Sequence, residues 1–287
     1  LISEKPHAII RRVLLRHYPL MHFLKSNSAA VLAYHMTNPR ILVTNDDGIR
    51  APGISLLAEA LGHIGDVWVF APDREQSAVG HGVSLHRPLR VTTFKDQWCM
   101  VDGTPTDCVM LAVRHLLPGP PALVVSGINP GANLGDDVTY SGTVAGAYEG
   151  MLLGFPAIAV SDVAYRPKHM ETAALVAERV ARHVLRHGLP ADTMLNVNVP
   201  DVPYDRLAGL SITRMGRRHY QDEIIERHDP RGGVYYWIGG AEPGHLAEPG
   251  ADFEAIEQGR VSLTPLHRNL THHDAMTVLQ HNPPTLG

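Results

Sequence analysis

Residues 41–49 read ILVTNDDGI. Three bulky apolar residues and a threonine describe a short strand covered on both faces. The chain then breaks at once into Asn45, Asp46, Asp47 and Gly48. Immediately downstream, PGISLLAEALG at 52–62 places Ile54, Leu57, Ala58 and Leu61 on one helical face, with Gly62 as the stop. Strand, loop and helix in this order open an α/β domain. In such domains the first loop commonly meets phosphate through glycine-rich backbone. Here two adjacent carboxylates stand in that place.

The alternation continues. VWVFAP at 67–72 is a second buried strand, followed by a polar loop, Asp73 to Gly82, long enough to be functional. GTPTDCVMLAVRHLL at 103–117 starts a helix with Thr104 as N-cap, Pro105 in the first position and Asp107 closing a capping box. Val109, Ala112, Val113 and Leu116 should face inward. ALVVSGIN at 122–129 is an apolar strand ending in polar residues, SGTVAGAYEGMLLG at 141–154 a helix beginning at Ser141–Thr143, and PAIAVS at 156–161 another strand. A helix over 171–187 buries Ala173, Val176, Ala177, Val180, Ala181 and Val184 and stops at Gly188, and LNVNVP resumes the sheet.

This pattern predicts an α/β fold, a Rossmann-like, mostly parallel sheet with helices on both faces. The catalytic core should run over 39–200. Beyond it, in 201–287, two segments flank the turn DPRGG, the second rich in aromatics, as in a long β-hairpin spanning 217–238. DFEAIEQG and VSLTPLH should return a helix and a strand to the body. Residues 1–38, with five basic side chains against Glu4, read as an extension outside the core, and Met36 offers an alternative start.

Ligands of open parallel sheets sit beyond the carboxyl ends of the strands. Asn45, Asp46 and Asp47 follow the first strand, Ser77 lies in the loop after the second, and Asn129 and Asn133 follow the third apolar strand. These groups should converge. Neighbouring carboxylates repel each other and any phosphate unless a cation lies between, and oxygen donors of this kind suit Mg²⁺, Mn²⁺ or Ca²⁺. A cation there polarises a phosphoryl oxygen and acidifies water, so hydrolysis is the natural chemistry. Ser141, Gly142 and Thr143 at a helix N-terminus supply hydroxyls, close backbone approach and N–H groups for an anion. Read blandly, DDG is a turn, Ser141 an ordinary cap, and GTPTDC plain helix capping beside a loop that could line a pocket.

Composition narrows the class. With 25 basic and 29 acidic residues the net charge is −4, short of the basic excess that grips long nucleic acid. No run approaches the length of a membrane span. Two cysteines, Cys99 and Cys108, form no disulfide framework, which points to a reducing, cytoplasmic setting. The 18 histidines show no zinc spacing.

The combination ILVTNDDGI, APDREQSA, GTPTDCV, VVSGINPGANLGDDVTYSGTVAGAYEG and GFPAIAVS, in this order from about residue 40 to 275, closely resembles the stationary-phase survival protein family, SurE. The resemblance implies a metal-dependent phosphatase that hydrolyses nucleoside 5′- and 3′-monophosphates, with short polyphosphate as a further substrate. It implies one divalent metal ion per subunit, Mg²⁺ or Mn²⁺ with Ca²⁺ as an occupant, held by Asp46, Asp47, Ser77 and Asn129, and catalysis by Asp46 and Asp47. Asn45, Asn133, Ser141, Gly142 and Thr143 would meet the phosphate. It further implies a homodimer or homotetramer assembled through C-terminal elements. Two rivals share parts of the pattern. A haloacid-dehalogenase-type phosphatase would need an aspartate where Asn45 stands, and a non-catalytic metal-dependent nucleotide-binding module would use nearly the same residues.

Overall fold

The structure is a computed structural model and describes residues 38–219, 224–238 and 244–285. Residues 1–37, where the expected extension and the start at Met36 fall, lie outside the described residues. Pro39–Gly287 forms one compact unit.

Six strands make a parallel sheet: β1 (Arg40–Thr44), β2 (Asp66–Pro72), β4 (Trp98–Val101), β5 (Leu123–Pro130), β6 (Ala157–Asp162) and β7 (Thr193–Val199). Their spatial order is β4-β2-β1-β5-β6-β7. The sheet is widened at one edge by β3 (Val91–Lys95), antiparallel to β4, and at the other by β13 (Val261–His267), antiparallel to β7, with β8 (Leu210–Ile212) beside it. Residues beyond 200 therefore complete the sheet as well as leaving it. The edge pair β3 and β4 was not expected from the sequence. Every residue of β3 is exposed, so no alternation marks it.

Helices cover both faces because alternate residues of each central strand point to opposite sides. Ile41 and Val43 join Ile54 and Leu57 of α1 (Pro52–Gly62) and Ala173, Val176 and Val180 of α4 (Met170–His187) in one core. Leu42 joins Val109 of α2 (Pro105–Leu111) and Val144 and Ala147 of α3 (Gly142–Leu152) in the other. The α4 face is buried as its spacing predicts. The α2 helix carries the expected capping box, but over Ala112–Leu116 it relaxes into a π turn. That turn winds more residues per revolution than an α-helix, so the phase shifts and Leu116, expected inside, is 37% exposed.

The predicted hairpin is β10 (Ile224–His228) paired with β11 (Val234–Ile238). Asp229 organises its turn by accepting from the N–H groups of Arg231 and Gly233, and Gly232 takes φ +84°. At its base, β9 (Arg218–His219) pairs with β12 (Gly244–His245). The helix α5 (Asp252–Glu257) leads back into β13, and α6 (His273–His281) follows it.

Candidate active site

The strand order reverses between β1 and β5, since the chain moves from β1 to β2 on one side and later returns to β5 on the other. Their carboxyl ends leave a crevice between them, the standard ligand position of such sheets. A cleft of about 580 Å³ opens there, lined by Asp46, Asp47, Glu75, Ser77, Asn129, Asn133 and Ser141 among others.

The loop after β1 is fixed by backbone. Asn45 donates from Nδ2 to the Gly48 carbonyl at 3.0 Å, Gln76 N–H donates to the Asp46 carbonyl at 2.7 Å, and Ile49 N–H donates to the Pro72 carbonyl at 2.9 Å. Gly48, at φ +95°, lies so close to the Arg74 backbone that a Cβ would sit 3.1 Å from its carbonyl carbon. Asn45 thus holds the turn from behind and is buried, away from the cleft lining.

Asp46 is almost wholly buried against the N-terminus of α3. Its carboxylate accepts from the Thr143 hydroxyl and from the Thr143 N–H. A Cβ on Gly142 would come within 2.8 Å of the Asp46 carboxylate, so glycine is what permits the approach. The anion received by this helix end is therefore the protein's own Asp46. Gly142 and Thr143 form its cradle and stand behind the cleft wall, whereas Ser141 lines the cleft while capping α3 through Val144 N–H at 3.1 Å.

Asp47 has no such support. Its Oδ2 is buried without a hydrogen-bond partner. Burial first, then repulsion from Asp46 and Glu75, pushes its pKa up to about 7, and burial likewise raises Asp46 against the pull of its Thr143 bonds. Ser77 Oγ donates to Glu75 Oε1 at 2.8 Å, and the next residue, Ala78, is held at φ +58°, a conformation L-residues seldom adopt.

From the other side of the crevice, the ladder between β5 and β6 slips register between Ser126 and Asn129. Such an irregularity re-aims a strand's last side chains. Asn129 donates from Nδ2 to the Gly131 carbonyl at 2.8 Å, which leaves its Oδ1 as an acceptor. Asn133 is tied into the sheet: Nδ2 donates to Ser161 Oγ at 2.7 Å, and its carbonyl accepts from Asn196 and Asn198. Glu75, Asp137, Tyr140 and Tyr165 also line the cleft. The sequence reading did not single them out. Glu75 sits two positions from Ser77 and was within reach, but nothing local marks Tyr165.

Among the described residues, no group of three or more His, Cys, Asp or Glu side chains gathers to hold a metal. The donors that meet here are two carboxylates, a hydroxyl and an amide oxygen. All are hard oxygens, one of them an orphaned buried carboxylate oxygen, and although Asp137 pairs with Arg218 at 2.6 Å, no lysine, arginine or histidine lines the cleft to balance Asp46, Asp47 and Glu75. That set fits a divalent cation of the Mg²⁺ or Mn²⁺ type.

Fold and cleft together define a Rossmann-like α/β protein with an acid-lined crevice at its topological switch point. Residues 41–222 match the family described as Survival protein SurE, and the chain belongs to that family. It is 55% identical over 240 residues to the 5′-nucleotidase SurE of Pelobacter propionicus, covering 83% of this chain and 97% of the relative. It is also 55% identical over 241 residues to that of Geobacter sulfurreducens, covering 84% and 92%. The crystal structure of the SurE protein from Aquifex aeolicus superposes with a TM-score of 0.76 at 42% identity, covering 85% of this chain and 99% of that one.

Proposed function

We propose that this chain is a divalent-cation-dependent nucleotidase that hydrolyses nucleoside 5′- and 3′-monophosphates to nucleoside and phosphate, with short polyphosphate as a secondary substrate. The observation that carries the reading is the adjacent pair of buried Asp46 and half-buried Asp47 at the switch point, with one carboxylate oxygen unpartnered and no basic side chain lining the cleft. Relatives at 55% identity bearing the name 5′-nucleotidase support it.

Asp46, Asp47, Ser77 and Asn129 would hold one cation. When bound, it supplies charge neutralisation and Lewis-acid polarisation of the phosphoryl group. The protein's own groups do the rest. Asp46 is fixed by Thr143 and has little freedom to move protons. Asp47, which has no hydroxyl donor like that of Thr143 fixing it, takes the proton from the attacking water as the new P–O bond forms and the P–O bond to the ribose breaks. The departing ribose oxygen is protonated from solvent. Ser141 offers its hydroxyl to the phosphoryl oxygens from the cleft wall, and Asn45, Gly142 and Thr143 maintain the geometry from behind. Asn133, although it lines the cleft, acts through its backbone ties to β7.

Two further readings accompany this one. The exposed aromatic hairpin supports assembly into a homodimer or homotetramer. Two free thiols, Cys99 and Cys108, support a cytoplasmic setting, and among the described residues no helix is long and apolar enough to cross a membrane.

The test is phosphate release from a panel of 5′- and 3′-nucleoside monophosphates with EDTA, Mg²⁺ or Mn²⁺, for wild type beside Asp47→Asn. Release that needs the cation and is lost in the variant is expected. A folded wild type that binds Mn²⁺ and nucleotide yet releases no phosphate would make the site a binding module instead.

A further inference from the structure

Two aromatic side chains share the cleft with the acids. Tyr165, in the loop between β6 and α4, is 83% exposed, and Tyr140, directly before Ser141, is 62% exposed. A single exposed tyrosine needs no explanation. Two on the lining of one cleft, beside its reactive end, do. Tyr165 lies over the turn that leaves β5, close enough that a Cβ on Gly131 would stand 3.9 Å from its ring. That turn also follows Asn129, so the ring stands beside one of the cleft's oxygen donors.

The cleft has two chemical halves. Asp46, Asp47, Glu75, Asp137 and Ser77 supply the one, while Pro130, Gly131, Ala132 and the rings of Tyr140 and Tyr165 supply apolar surface. A ligand with a phosphate at one end and a planar ring at the other matches both. Cleft size agrees, since about 580 Å³ lies within the range of small-ligand sites. The means of reading base edges are poor. The Asn133 amide nitrogen is spent on Ser161 and the Asn129 nitrogen on the Gly131 carbonyl, and no arginine or glutamine lines the cleft.

Building on the nucleotidase reading above, we propose that Tyr165, with Tyr140, is the nucleobase platform of this cleft. It selects nucleotides over phosphate esters that lack a base, and it does so by stacking, with little discrimination among bases. Every base has a π-face, so stacking gives affinity that tolerates sequence, and purines gain more than pyrimidines only through ring area.

The experiment compares kcat/KM of the full chain with Mn²⁺ for adenosine 5′-monophosphate, cytidine 5′-monophosphate and ribose 5-phosphate. Wild type, Tyr165→Ala and Tyr165→Phe are measured side by side. Wild type should favour both nucleotides over ribose 5-phosphate by roughly tenfold or more, as one stacked base allows. Tyr165→Ala should remove most of that advantage and leave ribose 5-phosphate within twofold of wild type, while Tyr165→Phe keeps it. Equal wild-type values for nucleotide and ribose 5-phosphate, or a Tyr165→Ala loss of the same size on all three, overturns the platform while leaving the phosphatase standing. Absence of wild-type turnover on all three rejects the nucleotidase reading, and the platform with it.

Discussion

Thr143 donates its hydroxyl hydrogen to the Asp46 carboxylate across 97 residues of chain, joining the first strand's loop to the start of α3. The contact brings the two halves of the crevice into one rigid unit. It also explains how a buried carboxylate survives, because the helix end and two donors offset part of its desolvation.

Thr143→Val removes that donor while keeping the shape. The Asp46 carboxylate then lacks one of its two supports, and we expect Mn²⁺ affinity to fall about 10- to 100-fold, the usual cost of losing a group that orients a ligand. Thr143→Ser should restore most of it. Calorimetric titration with Mn²⁺ reads the effect without reference to turnover, and unchanged affinity in the valine variant would remove Thr143 from the site.

Gly142→Ala is the complementary change. Alanine suits a first helical turn, so the backbone gains slightly. The new methyl, however, would meet the Asp46 carboxylate at 2.8 Å and displace it. Phosphate release should fall by about 100-fold, since a displacement near 1 Å costs that much, with a far-ultraviolet spectrum like that of wild type.

Asp107 is expected to matter for stability alone. Its Oδ2 accepts from Thr104 N–H and its Oδ1 from Ser84 N–H, so it caps α2 and pins the long loop that follows β2. Neither Gly103 nor Thr104 lines the cleft. Asp107→Ala strands both N–H groups and should cost about 2–3 kcal/mol in urea unfolding.

Asp162 ends β6 with one oxygen on Ala164 N–H and the other buried and unpartnered. Burial, first among the causes, raises its pKa to about 6. Its stabilising contribution is full below about pH 4, where the unfolded chain also binds the proton, and is lost as pH rises through 6. Asp162→Asn should therefore gain about 1 kcal/mol at pH 8 and nothing at pH 4, a figure reduced for solvent screening. Urea unfolding at both pH values in EDTA decides it, and an equal gain at each would assign the effect to something other than charge.

The central layers were legible in the sequence because their strands are buried on both faces and their helices keep a clean 3.6 period, as in α4. That Asp46, Asp47 and Asn129 would line one cleft was legible because polar residues at strand ends stand out against apolar runs, whereas Ser77, inside a polar loop, was marked by the family resemblance. What escaped was set by tertiary contact. The exposed edge strand β3 has no pattern of its own, the π turn at Ala112–Leu116 shifts the phase of a regular periodicity, and Tyr165 reaches the cleft only through a loop. The N-terminus of α3 was expected to meet phosphate, and the sequence could not say that the Asp46 carboxylate lies against Gly142 and Thr143 there.

The β10–β11 hairpin supplies the last prediction. Residues opposite each other in an antiparallel pair point to the same face, so Ile224 and Ile238 share one face and Ile225 and Trp237 the other. Ile238 is 93% exposed and Trp237 64%, so both faces show large apolar side chains. A two-stranded hairpin is marginal in water, and one apolar on both faces is stabilised by a partner on each. Buried aromatic anchors commonly contribute 2 kcal/mol or more to such contacts. Trp237→Glu combined with Ile238→Glu should therefore weaken self-association by at least about 100-fold and move the protein toward monomer in light scattering at micromolar concentration. A wild type that is already monomeric there would show that the arm serves something other than assembly of this chain.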